Sequence, residues 1–184
     1  YVEPNLITNG DFENDMTGWN VESGKKGASI YQADNGANTT KTLGSLNTWI
    51  VSDAITVKAN TDYVLTFDAR STATDINNTK TLLYIESDNE PDGKGKVSDH
   101  EDKWDMINGA INNTWITKEI KFNSGNNTTI YIAVDETSTG YWSYFDNFCL
   151  KKAASDDSPL VNSSFEDGSD YGEWSFGNNA GTYG

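Results

Sequence analysis

The sequence predicts an all-β protein, an antiparallel sandwich of many short strands, and three observations carry that prediction. Apolar and polar residues alternate with a period of two along most of the chain, and no 3.6-residue apolar stripe of a helix is present. Six Trp, nine Tyr and seven Phe are set among abundant Asn, Thr, Ser, Gly and Asp, a mixture that favours pleated strands and turns. Turn clusters such as KANTD and NSGNNT separate the alternating runs, the spacing expected of hairpins in a sandwich.

Taken in order, NLITNGDFENDMTGW (Asn5 to Trp19) opens the readable chain as an extended segment, with Phe12 inward and Asp11 and Glu13 on the other side. ASIYQ, TWIVS and AITV read as short strands. In DYVLTFDAR, Tyr63, Leu65, Phe67 and Ala69 share one face, and Thr66, Asp68 and Arg70 the other. KTLLYIES turns Leu83 and Ile85 inward and Leu82, Tyr84 and Glu86 outward. The mostly polar stretch from Ser87 to Ala110 interrupts the rhythm and reads as a long loop containing Trp104. Its partial likeness to an EF-hand loop (Asp88, Glu90, Asp92, Gly93, Asp99) lacks the terminal Glu and flanking helices. TWITKEIKF sets Ile116, Ile120 and Phe122 against Trp115, Thr117 and Glu119. TIYIAV buries Ile130, Ile132 and Val134 and turns Tyr131 and Ala133 outward, and YWSYFDNFCL supplies the last strand.

The opening is echoed by PLVNSSFEDGSDYGEW at Pro159 to Trp174. The expected organisation is one sandwich module over residues 1–152, then a linker beginning at KKAASDDSPL and the truncated start of a second similar module over residues 153–184.

A formal charge of −15 argues against nucleic acid or an anionic membrane surface as a partner, since both would be repelled. No apolar run has the length of a membrane span. Composition of this kind suits a secreted module. Cys149 is the only cysteine, so no internal disulfide forms, and His100 is the only histidine, a poor start for a Cys–His nucleophile. Asp11, Glu13 and Asp146 lie in the first and last segments, which a sandwich can bring together. They read either as surface acids or as oxygen donors to a hard cation such as Ca²⁺, which needs six to eight oxygens.

Asn-x-x-Phe-Glu with a following Gly-Trp, then VKANTDYVLTFDARS, then YFDNFCL resembles, in that order and spacing, the carbohydrate-binding modules of families 4, 16 and 22. The resemblance covers Asn5 to about Lys152. It implies a β-jelly-roll sandwich, secretion, an appended glycoside hydrolase, and a structural Ca²⁺ held by Glu13 and Asp146 with backbone oxygens near Asn9 to Asp11 and in TTKTLGS.

A pyranose offers an apolar C–H face to an aromatic ring and a rim of hydroxyls to polar side chains. By strand parity Trp49, Tyr84 and Tyr131 fall on the outward face with Arg70 and Glu86 as polar neighbours, while Trp104 and Trp142 lie in or beside loops. Trp19 corresponds to a family aromatic that stacks on sugar in some members and packs in others. Trp115 matches a usual structural Trp. The expected function is non-catalytic binding of a β-1,4-linked plant polysaccharide or its oligosaccharides through Trp19, Trp49, Arg70, Tyr84, Glu86, Trp104 and Trp142. The alternative is an adhesin or spacer sandwich without a sugar site. Glu86 with Asp135 or Glu136 is the carboxylate pair an enzyme would need, but no motif singles it out.

Overall fold

In a computed structural model of the chain, the described residues are 2–21, 28–32, 41–45, 48–75, 81–89, 97, 103–105, 112–136 and 140–154. Among them there is no helix. The strands are β1 (Trp19–Val21), β2 (Ala28–Gln32), β3 (Lys41–Ser45), β4 (Thr48–Ser52), β5 (Ile55–Thr56), β6 (Asp62–Ser71), β7 (Thr81–Glu86), β8 (Lys103–Asp105), β9 (Ile116–Asn123), β10 (Thr129–Glu136) and β11 (Ser143–Lys152). They form a six-stranded sheet, ordered β1-β4-β10-β7-β8 with β5 paired to β10, and a five-stranded sheet ordered β2-β3-β11-β6-β9. Every ladder is antiparallel. The predicted all-β sandwich is the fold observed.

Alternation decides what each strand buries. Along β6, Tyr63, Leu65, Phe67, Ala69 and Ser71 are all buried and the residues between them are partly exposed. Leu43, Leu65, Phe67 and Phe145 of the five-stranded sheet share one core with Ile50, Leu83, Ile85, Ile130, Ile132 and Val134 of the six-stranded sheet. Burying such a side chain contributes about 1.5–3 kcal/mol relative to leaving it in water.

β11 departs from strict alternation, and the departure places the opening segment. Phe145 and Phe148 are both buried although three positions apart. The register with β6 shifts between Asp146 and Cys149, and Asn147 takes a φ of 55°, a left-handed conformation that Asn tolerates better than most residues. This β-bulge turns both Phe rings inward. Its exposed backbone then receives the opening segment: Phe148 N–H donates to Gly10 O (2.9 Å) and Leu6 N–H to Leu150 O (2.9 Å). Asn5 completes the seam, its Oδ1 accepting from Leu150 N–H (2.9 Å) and its Nδ2 donating to Phe148 O (2.9 Å).

Three expectations are corrected here. The segment around Asp11 is a run of turns rather than extended chain. Phe12 is nevertheless buried, at a φ of 53°, a conformation that costs a bulky residue free energy and persists because packing fixes it. The long polar stretch contains a strand, β8, so Trp104 lies in an edge strand and not in a loop. β3 adds a strand that the pattern does not announce, because KTLGS carries a glycine and only one large apolar residue.

Tyr1–Ala153 forms one compact unit and Ala154–Gly184 another. The echo of the opening segment, from Pro159 on, lies outside the described residues, as does the EF-hand-like stretch from Glu90 to Lys96 together with Asp99.

Candidate functional site

The nominated sugar-binding residues do not converge. The sandwich distributes them over two opposite faces and its interior.

The outer face of the six-stranded sheet gathers the first group. Ala133 of β10 is the register partner of Val51 on β4 and of Tyr84 on β7, so these three side chains form a row across the sheet. Asn20 on β1 and Lys103 on β8 continue the row of positions as register partners of Val51 and Tyr84. Val51, Tyr84 and Ala133 are buried as a cluster separate from the core, with Trp49 and Tyr131 packed against it and partly exposed. A floor of small or flat groups between two half-open rings follows from β-branched and aromatic residues at outward parity positions. Two nominated residues behave differently from expectation. Tyr84 is only 7% exposed and Glu86 is 0% exposed, so outward parity does not bring them into solvent. Tyr84 is floor and not platform. Trp104 stands opposite Leu83 in the β7–β8 register.

The register also separates the carboxylates nominated for catalysis. Glu86 pairs with Tyr131, whereas Asp135 and Glu136 pair with Leu82 and Thr81. Four and five residues of strand at about 3.4 Å each place them roughly 14 and 17 Å from the Glu86 position. Glycoside hydrolysis requires its two carboxyl groups within about 5–9.5 Å. The register does not set Glu86 beside either Asp135 or Glu136.

Trp19 belongs to the interior. It is 4% exposed, donates its indole N–H to Asn9 O (3.2 Å), and lies 5.2 Å from the Phe12 ring and 5.1 Å from the Phe148 ring. Of the family's two uses for this aromatic, packing is the one realised, and Trp19 has no face to offer a sugar. Asn9 organises the same loop: its Nδ2 donates to Asp15 O (2.8 Å) and Thr17 O (3.0 Å), and its Oδ1 accepts from Asn14 N–H (2.9 Å). This is the physical content of the Asn in Asn-x-x-Phe-Glu.

The outer face of the five-stranded sheet holds Arg70, Tyr144, Trp142 and, at the start of β9, Trp115. Arg70 and Tyr144 are register partners, and the guanidinium carbon lies 4.4 Å from the Tyr144 ring centre and 5.1 Å from that of Trp115. Trp142 stacks beside Tyr144 at 6.4 Å. Among the described residues Arg70 makes no ion pair with Asp68, its neighbour on the same strand face. Asp68 instead accepts from Thr117 Oγ1 (2.6 Å) and Asn147 Nδ2 (2.9 Å).

Asp146 sits at the bulge, half-buried, with its Oδ1 accepting from Asn147 N–H (2.8 Å). Burial pushes its carboxyl up from 3.8 to about 6, with the negative charges of Asp68, Glu13 and Asp11 adding to the rise and the Asn147 N–H opposing it. Glu13 Oε1 accepts from Lys41 N–H (2.6 Å), and Lys41 Nζ reaches Glu13 O (3.2 Å) and Asp15 (2.8 Å). The Asp11 and Glu13 carboxylates are thus close enough to Asp146 to add to its rise. Among the described residues, however, no three His, Cys, Asp or Glu side chains gather as a metal site. Cys149 is free and half-buried.

Comparison with known proteins follows the same lines. The sequence profile of a family described as carbohydrate binding domain matches residues 4–139. In three dimensions the chain is similar to a Bacteroides thetaiotaomicron VPI-5482 protein assigned provisionally to sugar binding, with a TM-score of 0.59 and 14% identity over 81% of this chain and 100% of that one. It is similar to a family 16 carbohydrate binding module, with a TM-score of 0.54 and 19% identity over 79% and 99%. A xylan-binding domain from Paenibacillus barcinonensis Xyn10C gives a TM-score of 0.54 and 12% identity over 84% and 99%. At these identities the likeness is one of fold. No curated protein matches the chain in sequence.

Proposed function

We propose that this chain, which belongs to the carbohydrate-binding domain family, binds a β-1,4-linked plant polysaccharide of cellulose, mannan or xylan type on the outer face of the six-stranded sheet. The observation that carries the reading is the pair of partly exposed rings, Trp49 and Tyr131, packed on the Val51–Ala133–Tyr84 floor. The open part of such a ring has no protein contact, and a pyranose C–H face laid on it gains apolar contact. A neutral glycan also meets no penalty from the −15 charge. The role is non-catalytic: the module holds an attached glycanase near its substrate, outside the cell or at its surface, and tandem copies would raise local concentration.

Calcium is part of the same proposal. Asp11, Glu13 and Asp146 offer hard oxygen donors, and a bound divalent cation would offset the burial and the smaller like-charge repulsion that raise the Asp146 carboxyl. The ion would stiffen the seam between the opening segment and the bulge.

A second reading, a spacer or adhesin sandwich without a sugar site, is favoured by the burial of Tyr84 and Glu86. Electrophoresis through gels containing soluble β-glucan, mannan or xylan separates the two. Retardation in one gel that is lost in Trp49→Ala supports glycan binding, and equal mobility in all gels supports the spacer.

A further inference from the structure

Arg70 is the only arginine in the sequence, and the fold treats it unlike an ordinary surface cation. Its side chain is inserted between Tyr144 on β11 and Trp115 beside β9, at 4.4 and 5.1 Å. The two rings hold a planar guanidinium in a fixed plane, a use for which lysine's tetrahedral ammonium is unsuited. Among the described residues the guanidinium makes no hydrogen bond or ion pair with the protein, although the chain carries 28 Asp and Glu. Asp68, its neighbour on the same strand face, has its two oxygens occupied by Thr117 and Asn147. The Nε nitrogen is buried without a partner. The residue as a whole is partly exposed, so the Nη edge is the part that meets solvent.

Packing alone does not account for this arrangement. A pre-oriented guanidinium with an open edge is the donor geometry that a carboxylate fits with two parallel N–H···O bonds. The stack also leaves the ring of Trp142 beside Tyr144, a flat apolar flank for the body of a ligand. This face is opposite the one proposed above for neutral glycan, since Arg70 and Tyr144 project from the five-stranded sheet and Trp49 and Tyr131 from the six-stranded sheet.

We propose that the outer face of the five-stranded sheet carries a second carbohydrate-binding position, centred on Arg70, that takes the carboxylate of a uronic acid residue. The choice of a sugar acid over other carboxylates rests on the chain's family, and a carboxyl-decorated glycan could then be held on both faces of one module. Long-range repulsion from the −15 charge opposes approach of an acidic glycan. At physiological ionic strength charges separated by more than about 8 Å are screened, and the contact is decided by the local cation.

Because Arg70 is the sole arginine, its Nε–H gives a single, assignable NMR signal, and burial protects that proton from exchange. Titrating the ¹⁵N-labelled wild-type chain with sodium glucuronate, at constant ionic strength, is expected to shift this signal saturably, while glucose at equal concentration leaves it in place. Calorimetry with xylo-oligosaccharides of equal length, with and without a glucuronic acid branch, is expected to show a second binding event for the branched form, held at the Arg70 position about tenfold more tightly than the unbranched form there, the size of a charged hydrogen-bond pair. Arg70→Lys, which keeps the charge, is expected to abolish that tenfold preference and leave unbranched binding unchanged. Trp49→Ala is expected to weaken binding at the six-stranded sheet and leave the preference of the Arg70 position for the branched form in place. An unmoved Nε–H signal with no preference for the branched form overturns the proposal. A glucuronate response without any binding of neutral oligosaccharide sustains the Arg70 site and overturns the neutral-glycan reading instead.

Discussion

Tyr84 lies directly across from Ala133 in the β7–β10 ladder, and Ala133 in turn lies across from Val51 on β4. One alanine between two larger side chains makes a shallow floor on the outer face of the six-stranded sheet. On it the rings of Trp49 and Tyr131 stay partly open. Flatness at the centre with rings at the sides is what lets a sugar lie against a sheet.

The different environments of Trp19 and Trp49 predict different phenotypes. Trp19→Ala removes a buried ring from the Phe12–Phe148 cluster and is expected to destabilise the chain by about 3–5 kcal/mol. Chemical denaturation measures it, and glycan affinity extrapolated to the folded fraction should not change.

Gly10 is predicted to be intolerant of any side chain. A Cβ there would stand 2.0 Å from Phe148 O, which is backbone and cannot swing aside. Gly10→Ala is expected to loosen the seam between the opening segment and β11, at a cost of about 1–3 kcal/mol. A reduced denaturation midpoint and faster amide exchange at Phe148 would show it.

Asn5→Ala removes the acceptor of the Leu150 and Ile7 N–H groups and the donor to Phe148 O. Replacement by Asp keeps the acceptor only. Stability is therefore expected to fall in the order Asn, Asp, Ala, with a total loss of about 1–3 kcal/mol from the unsatisfied backbone groups.

Asp146 sets a pH dependence whose sign can be stated. Its folded carboxyl is raised from 3.8 to about 6, so between those values the folded state holds a proton that the unfolded chain has released. The stabilisation from the protonated group is complete below pH 3.8 and is lost as pH rises through about 6. In EDTA, Asp146→Asn is accordingly expected to raise the melting temperature at pH 7. With excess Ca²⁺ the proposed ion reverses the sign, and the wild type should melt above the Asn variant. Melting curves of both proteins at pH 4, 5, 6 and 7, with and without Ca²⁺, check both statements.

Much of the architecture is legible because alternation is a direct image of burial. The inward assignments in DYVLTFDAR, KTLLYIES and TIYIAV agree with the burial seen for their described side chains. What alternation cannot carry is any feature that breaks period two. The bulge at Asn147 is hidden in FDNF, although two Phe residues at odd spacing around an Asn are a readable sign of it. The left-handed turn at Phe12 gives no sequence signal. Site residues are harder still, because parity assigns a face and not an exposure: Tyr84 and Glu86 face outward and are buried. Nor does parity say which sheet a strand joins, so it groups Arg70 with Glu86 although they project from opposite sides of the sandwich.

The account rests on glycan binding at the face of Trp49 and Tyr131, and calorimetric titration of cello-, manno- and xylo-oligosaccharides into wild type and Trp49→Ala tests it most directly. The expected result is micromolar to millimolar binding of one series by the wild type, weakened by about 10- to 100-fold in a Trp49→Ala protein with an unchanged melting temperature. Equal affinity in the two proteins, or no heat from any series with a fully folded chain, would contradict it.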